Sequence, residues 1–139
     1  MLKSELRQQM KVLKRQFTSN QLREQSLALV NKVLNHPRVN AAKTILLYYS
    51  MADEVDTHDL VDLLREQGKT VLLPVTLAHE LEIRRYEGPK SLQEGRAFHI
   101  MEPTGAVFTQ LHTIDLVIVP GMGFDPQGNR LGRGKGYYD

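Results

Sequence analysis

The chain contains no cysteine and no tryptophan. The first absence removes disulfides, thiolate metal sites and thiol nucleophiles together, and it suits a reducing, cytoplasmic setting. Aromatic residues make up 6% of the 139 positions and are not interleaved with a basic run, and the net charge is only +2. Nucleic acid is therefore not an expected partner. No apolar run approaches the roughly 20 residues that cross a bilayer, and the N-terminus carries a charge every few residues instead of a hydrophobic signal core, so no membrane is expected either. His36, His58, His79, His99 and His112 are too scattered to form a metal-ligand pattern. No internal repeat or low-complexity segment is present. With 41% apolar and 24% charged residues, what is left is ordinary globular usage: one domain spanning residues 1–139.

What is present is concentrated near the end. Six of the ten glycines fall between Gly121 and Gly136, in the stretch PGMGFDPQGNRLGRGKGYYD from Pro120 to Asp139. Arg130, Arg133 and Lys135 sit among them. Glycine allows positive φ and close backbone approach, while guanidinium and ammonium groups neutralise phosphate, so a polyanionic small molecule is the expected ligand. Neither common nucleotide pattern fits. Asn129 stands where a Walker A loop needs its first glycine, and Gly121-Met122-Gly123 continues with Phe124-Asp125-Pro126 instead of completing a dinucleotide fingerprint. Turn chemistry alone accounts for Asp125 to Asn129. It accounts poorly for the remainder, where three cations repel one another without burying apolar area.

Along the chain, Leu2, Leu6, Met10, Leu13 and Phe17 recur at helical spacing and predict an amphipathic first helix, with Lys3, Arg7 and Lys11 as an adjoining basic stripe. Thr18 or Ser19 caps a second helix, which His36-Pro37 closes. The runs TILLYY (Thr44 to Tyr49) and TVLLPV (Thr70 to Val75) read as buried strands on either side of a helix that starts at Thr57 and stops at Gly68. Such a βαβ unit makes the two strands parallel. Between the first strand and its helix, Asp53, Glu54 and Asp56 lie where open parallel sheets present ligands, although an acid at Asp56 also suits the helix dipole. LEIRRY, from Leu81 to Tyr86, alternates like a half-buried strand. From Glu87 to Pro103 only turns are legible. The apolar run from Ile114 to Pro120 predicts a last buried strand that delivers the glycine-rich stretch to the carboxyl edge of the sheet.

The string GFDPQGNRLGRGKGYYD closely resembles the signature of the 5-formyltetrahydrofolate cyclo-ligase (5,10-methenyltetrahydrofolate synthetase) family. Further pieces resemble it in the family's order: Lys3 to Arg7, Tyr48-Tyr49-Ser50 with Asp53 to Thr57, and Ile114 to Val117. The resemblance implies a three-layer, Rossmann-like α/β fold, a mostly parallel sheet flanked by helices. It also implies ATP-dependent cyclisation of 5-formyltetrahydrofolate to 5,10-methenyltetrahydrofolate through a phosphorylated formyl group, with ADP and phosphate released. By position it assigns ATP to Lys3, Arg7, Arg130, Leu131, Gly132, Arg133, Gly134, Lys135, Gly136, Tyr137 and Tyr138. Folate falls to Tyr49, Glu54, Arg133, Gly134, Lys135, Gly136 and Tyr137, with Lys135, Arg133 and Tyr137 as the catalytic set. A carboxylate suits Mg²⁺, and the family's ligand position is Asp139.

Members of the family ordinarily continue past this aspartate, so a sheet lacking the family's C-terminal part is expected. The expected oligomeric state is a family-like monomer, with association through the exposed sheet edge as the departure from it. Two other classes of function stay open: a noncatalytic nucleotide- or phosphate-binding relative, and a phosphosugar or acyl-transfer enzyme on a similar sheet. Only a folate enzyme needs the Tyr49 and Glu54 loop.

Overall fold

The computed structural model describes residues 2–95, 100–134 and 136–138. Three helices come first: α1 (Lys3–Lys14), α2 (Ser19–Leu34) and the short α3 (Pro37–Ala41). A capping box starts α2, with Thr18 Oγ1 accepting from Gln21 N–H at 3.1 Å and Gln21 Oε1 accepting from Thr18 N–H at 2.8 Å. His36-Pro37 ends α2 as predicted and also begins α3. Pro37 supplies a first helical residue that needs no N–H partner, and His36 Nδ1 accepts from Arg38 N–H at 3.1 Å.

The predicted βαβ unit follows as β1 (Thr44–Leu47), α4 (His58–Glu66) and β2 (Thr70–Thr76), with β1 and β2 parallel in the register Thr44↔Thr70. Gly68, at φ +85°, makes the turn that stops the helix. β3 (Leu81–Arg85) runs antiparallel to β2, and β6 (Leu116–Ile118) runs parallel to β1 on its other side, giving the order β3-β2-β1-β6. The fold is mixed α/β with a mostly parallel central sheet flanked by helices, as expected. Pro74 lies inside β2 yet past the end of its pairing with β1, so its missing N–H interrupts no ladder there.

One face of the sheet supplies Ile45, Leu47, Val71 and Leu73 to a core shared with Leu60, Val61 and Leu64 of α4, Val30 of α2 and Val39 of α3. Each fully buried aliphatic side chain there stabilises the fold by about 1.5–3 kcal/mol. Asp115, just before β6, fixes the sheet's entry edge. Its Oδ2 accepts the N–H groups of Lys43 (2.8 Å) and Thr44 (3.0 Å), and those bonds hold its carboxyl below the usual range.

Three expectations need correction. The apolar stripe of α1 forms a helix but contributes no buried residue, with Leu2, Leu13 and Phe17 at 67%, 48% and 43% exposure. The segment after Glu87 is not structureless: β4 (Leu92–Glu94) and β5 (Met101–Pro103) pair antiparallel. The last apolar run does form a strand, but among the described residues β6 pairs only with β1, so Val117 stands 44% exposed.

Candidate functional site

All three parallel strands end on the same side, and the site is built there. Beyond β1, Thr57 occupies the expected helix-start position but does not cap α4. Its hydroxyl donates to Tyr48 O (2.7 Å) and accepts from Ser50 N–H (3.0 Å), while Ser50 Oγ accepts from Thr57 N–H (2.9 Å). This clasp fixes the loop between residues 50 and 57. Within it Glu54 folds back, with Oε1 accepting from Met51 N–H at 2.8 Å and a side chain only 9% exposed. Tyr49 stacks on His58 with ring centroids 3.9 Å apart and planes within 6°. The Tyr48 phenol is pushed up to about 12 by burial and by the charges of Glu54 and Asp56, so it stays protonated.

The glycine-rich stretch divides in two. Asp125 to Asn129 is a turn between β7 (Gly123–Phe124) and β8 (Arg130–Leu131), organised by Asp125, which accepts the N–H groups of Gln127 (3.0 Å) and Asn129 (2.8 Å). Turn chemistry therefore accounts for that half. The other half meets α1 and the β1 loop. Arg7 Nε donates to Gly132 O at 2.7 Å, and Arg130 Nε donates to Pro120 O at 2.6 Å with its guanidinium 5.8 Å from the Tyr138 ring centroid. Arg133 Nη2 donates to Asp53 Oδ1 at 2.5 Å and lies 3.7 Å from Glu54 Oε2. Burial disfavours the Asp53 carboxylate, but Arg133's hydrogen bond and charge outweigh it and hold the carboxyl below its usual range. Tyr137 hydroxyl donates to Leu77 O at 3.1 Å.

These segments enclose one cavity of about 450 Å³, within the ordinary range for small-molecule sites. The sheet order reverses between β1 and β6, the switch point at which open α/β sheets bind ligands. Tyr49 and Glu54 line it on one side, and Arg130, Leu131, Gly132, Arg133, Gly134, Gly136, Tyr137 and Tyr138 on the other, with Lys3 and Arg7 contributed by α1. Lys135 and Asp139 lie outside the described residues. The cavity also includes Thr76, Ile100 and Glu102, which no motif singles out, and Tyr48 and Met51, which belong to or adjoin a recognised string without an assigned role. Asp53, though within a recognised string, had no assigned role, and its contact with Arg133 joins positions 80 residues apart.

The described residues contain no group of three or more His, Asp or Glu that could hold a metal ion. Among them no helix is long and apolar enough to cross a membrane.

The sequence profile of the 5-formyltetrahydrofolate cyclo-ligase family matches residues 1–139. The mouse protein named 5-formyltetrahydrofolate cyclo-ligase is 36% identical, over 99% of this chain and 70% of its own length. A protein of the same name from Haemophilus influenzae is 32% identical, over 99% of this chain and 75% of its own. Among solved structures, the NMR structure of Aquifex aeolicus 5,10-methenyltetrahydrofolate synthetase superposes with a TM-score of 0.86 at 34% identity, covering 100% of this chain and 71% of that one. The Mycoplasma pneumoniae synthetase shares the fold, with a TM-score of 0.75 at 23% identity over 99% of this chain and 75% of that one.

Proposed function

The chain belongs to the 5-formyltetrahydrofolate cyclo-ligase family, and from that premise we propose that it catalyses the ATP-dependent closure of 5-formyltetrahydrofolate to 5,10-methenyltetrahydrofolate. The observation that carries the reading is the junction of two unlike walls in one cavity. A carboxylate- and tyrosine-bearing loop suits a heterocycle with N–H donors, and a glycine-cation loop suits phosphates. The Arg133–Asp53 contact ties them together. Residues 1–139 act in this reading as one α/β domain on small molecules, in the cytoplasm and as a monomer.

A formamide oxygen leaves poorly, so the reaction first makes it a better leaving group. The formyl oxygen attacks the γ-phosphorus of ATP and ADP departs. N10 then attacks the formyl carbon and loses its proton, and phosphate leaves with the former formyl oxygen. The protein's task is positioning and charge stabilisation. Arg7 and Arg130, with Lys3 and the backbone from Leu131 to Tyr138, hold the ATP phosphates. Arg133, together with Lys135, stabilises charge on the transferred phosphoryl group. Tyr49 and Tyr137 orient the folate, and Glu54, beside Arg133, accepts the N–H that remains in the reduced ring of the pterin.

Of the chain's residues, Asp139 would hold a magnesium ion, its carboxylate being the hard oxygen donor that such an ion takes together with phosphate. Bound there, magnesium supplies further neutralisation of phosphate charge. The test is the appearance of methenyltetrahydrofolate absorbance when 5-formyltetrahydrofolate and ATP·Mg²⁺ are both present. Binding of both substrates without product would leave a noncatalytic relative, and failure to bind folate would overturn the reading.

A further inference from the structure

Glu102 is the second acid of the cavity lining. It sits on β5, only 7% exposed, in the stretch of cavity wall formed with Pro74, Thr76, Leu81 and Ile100. Its Oε2 accepts the Thr76 N–H at 2.6 Å. Among the described residues no second hydrogen bond and no cation within ion-pair distance reaches the carboxylate. Gly95, just after β4, lies so close that a Cβ on it would overlap the carboxylate, and its N–H donates to Ile100 O at 2.8 Å.

Joining β5 to β2 through Thr76 needs an acceptor but not a charge, and a glutamine carbonyl would serve as well. A carboxylate placed among apolar side chains with half of its acceptor capacity unused is costly unless something pairs with it. Glu54, the other cavity-lining acid, is differently placed, with one oxygen on Met51 N–H and the other 3.7 Å from Arg133. The complement of Glu102 is a flat, uncharged group presenting adjacent N–H donors, since a carboxylate accepts two parallel bonds. The folate substrate carries such an edge in the ring N–H and the 2-amino group of its pyrimidinone ring.

Resting on the function proposed above, we infer that Glu102 is a second recognition carboxylate of this cavity, binding the 2-aminopyrimidinone edge of the folate and so orienting the ring whose far side reacts. Glu54 and Arg133 then serve the reacting side, and Glu102 fixes which way round the heterocycle enters.

Calorimetry on the full chain tests this with 5-formyltetrahydrofolate, its analogue lacking the 2-amino group, and ATP·Mg²⁺ as titrants. Glu102→Gln keeps the acceptor for Thr76 and removes the buried charge, so its melting temperature should equal or exceed that of the unaltered chain and its ATP affinity should match. Its affinity for 5-formyltetrahydrofolate should fall about 10- to 100-fold, the usual worth of hydrogen bonds to a charged group. Loss of the 2-amino group should weaken binding to the unaltered chain about tenfold but to Glu102→Gln very little. Equal affinity of the unaltered chain for the two folates would overturn the inference without any variant. So would an unchanged folate affinity in Glu102→Gln, or a parallel loss of folate binding, ATP binding and melting temperature, which would make Glu102 a structural acceptor only. No binding of 5-formyltetrahydrofolate to the unaltered chain would remove the proposed function and this inference together.

Discussion

Arg133→Met removes a cation that is both a tether between two loops and, in the proposed mechanism, a donor to the transferred phosphoryl group. The two roles differ in size. As a tether, Arg133 pairs with Asp53 where both side chains keep some solvent contact, at 25% and 39% exposure, so the pair contributes at most about 1 kcal/mol. Glu54, 9% exposed, loses a cation at 3.7 Å but keeps the Met51 N–H, which brings the total loss to about 1–2 kcal/mol. For a 139-residue chain this lowers the melting temperature by about 3–7 °C. As a donor aimed at developing charge, the same side chain is worth about 100- to 1000-fold in kcat. Thermal melts and the rate of methenyltetrahydrofolate formation at saturating ATP and folate separate the two, with Asp53→Asn as the companion that unties Arg133 without deleting it. Asp53→Asn should reproduce most of the melting shift and cost less than about tenfold in kcat. Should Arg133→Met keep kcat within about threefold while melting several degrees lower, Arg133 would be a tether alone and the phosphoryl role would be wrong.

Gly134 has φ +94° and a Cβ there would come within 3.2 Å of the Arg7 guanidinium, so Gly134→Ala should cost about 1–2 kcal/mol of stability and weaken ATP binding; unchanged melting and ATP affinity would show that the loop has another conformation available. Glu54→Gln should lower folate affinity and leave ATP affinity nearly untouched by calorimetry, the reverse pattern placing its loop on the nucleotide side. Asp53 has a folded pKa below its usual 3.8, so its contribution to stability is fully present above that value and disappears as pH falls through the lower folded value. The melting-temperature gap between the unaltered chain and Asp53→Asn should therefore be constant near neutrality and close only below pH 3.8; a gap that persists in strong acid would mean the effect is not electrostatic.

The parts of the fold legible in the sequence were those whose signal is local. The βαβ unit is spelled out by two short apolar runs, an intervening helical pattern and Gly68, and each feature has one physical reading. β4 and β5 are three residues each and carry Gln93, Glu94 and Glu102, so they have no periodicity to detect and exist as strands only through their pairing. The α1 stripe shows the limit from the other direction: spacing specifies a helix, but whether Leu2 and Phe17 find a partner is a tertiary fact, and among the described residues they remain largely exposed. The site followed the same rule. Residues within contiguous strings, such as Arg130 to Gly134 with Tyr49 and Glu54, could be singled out from their order and do line the cavity. Asp53's hold on Arg133 and Glu102's place on the wall depend on segments meeting across the sheet, and nothing in the linear order marks them.

The cationic loop presents the physical difficulty that it should repel itself, and the structure answers it with separate anchors. Arg7 is held by the carbonyl of Gly132, Arg130 by the carbonyl of Pro120, and Arg133 by the carboxylate of Asp53. Each anchor belongs to a different segment, so the guanidinium groups are oriented by the fold itself, and in the proposed function the side-chain entropy otherwise lost on binding phosphate is largely lost on folding instead. Arg7 shows how an anchored cation can still serve a ligand: its Nε is engaged by Gly132, while its guanidinium lies beside Gly134, whose φ of +94° favours a residue without a Cβ and where a Cβ would crowd that guanidinium at 3.2 Å. Glycine and arginine are therefore coupled requirements of one surface. The glycines open the backbone where the guanidinium groups approach, and the anchored guanidinium groups offset the conformational freedom that the glycines bring. This coupling explains why the stretch is read as a unit in sequence, and why a change at Gly132 or Gly134 should weaken phosphate binding although neither residue carries a charge.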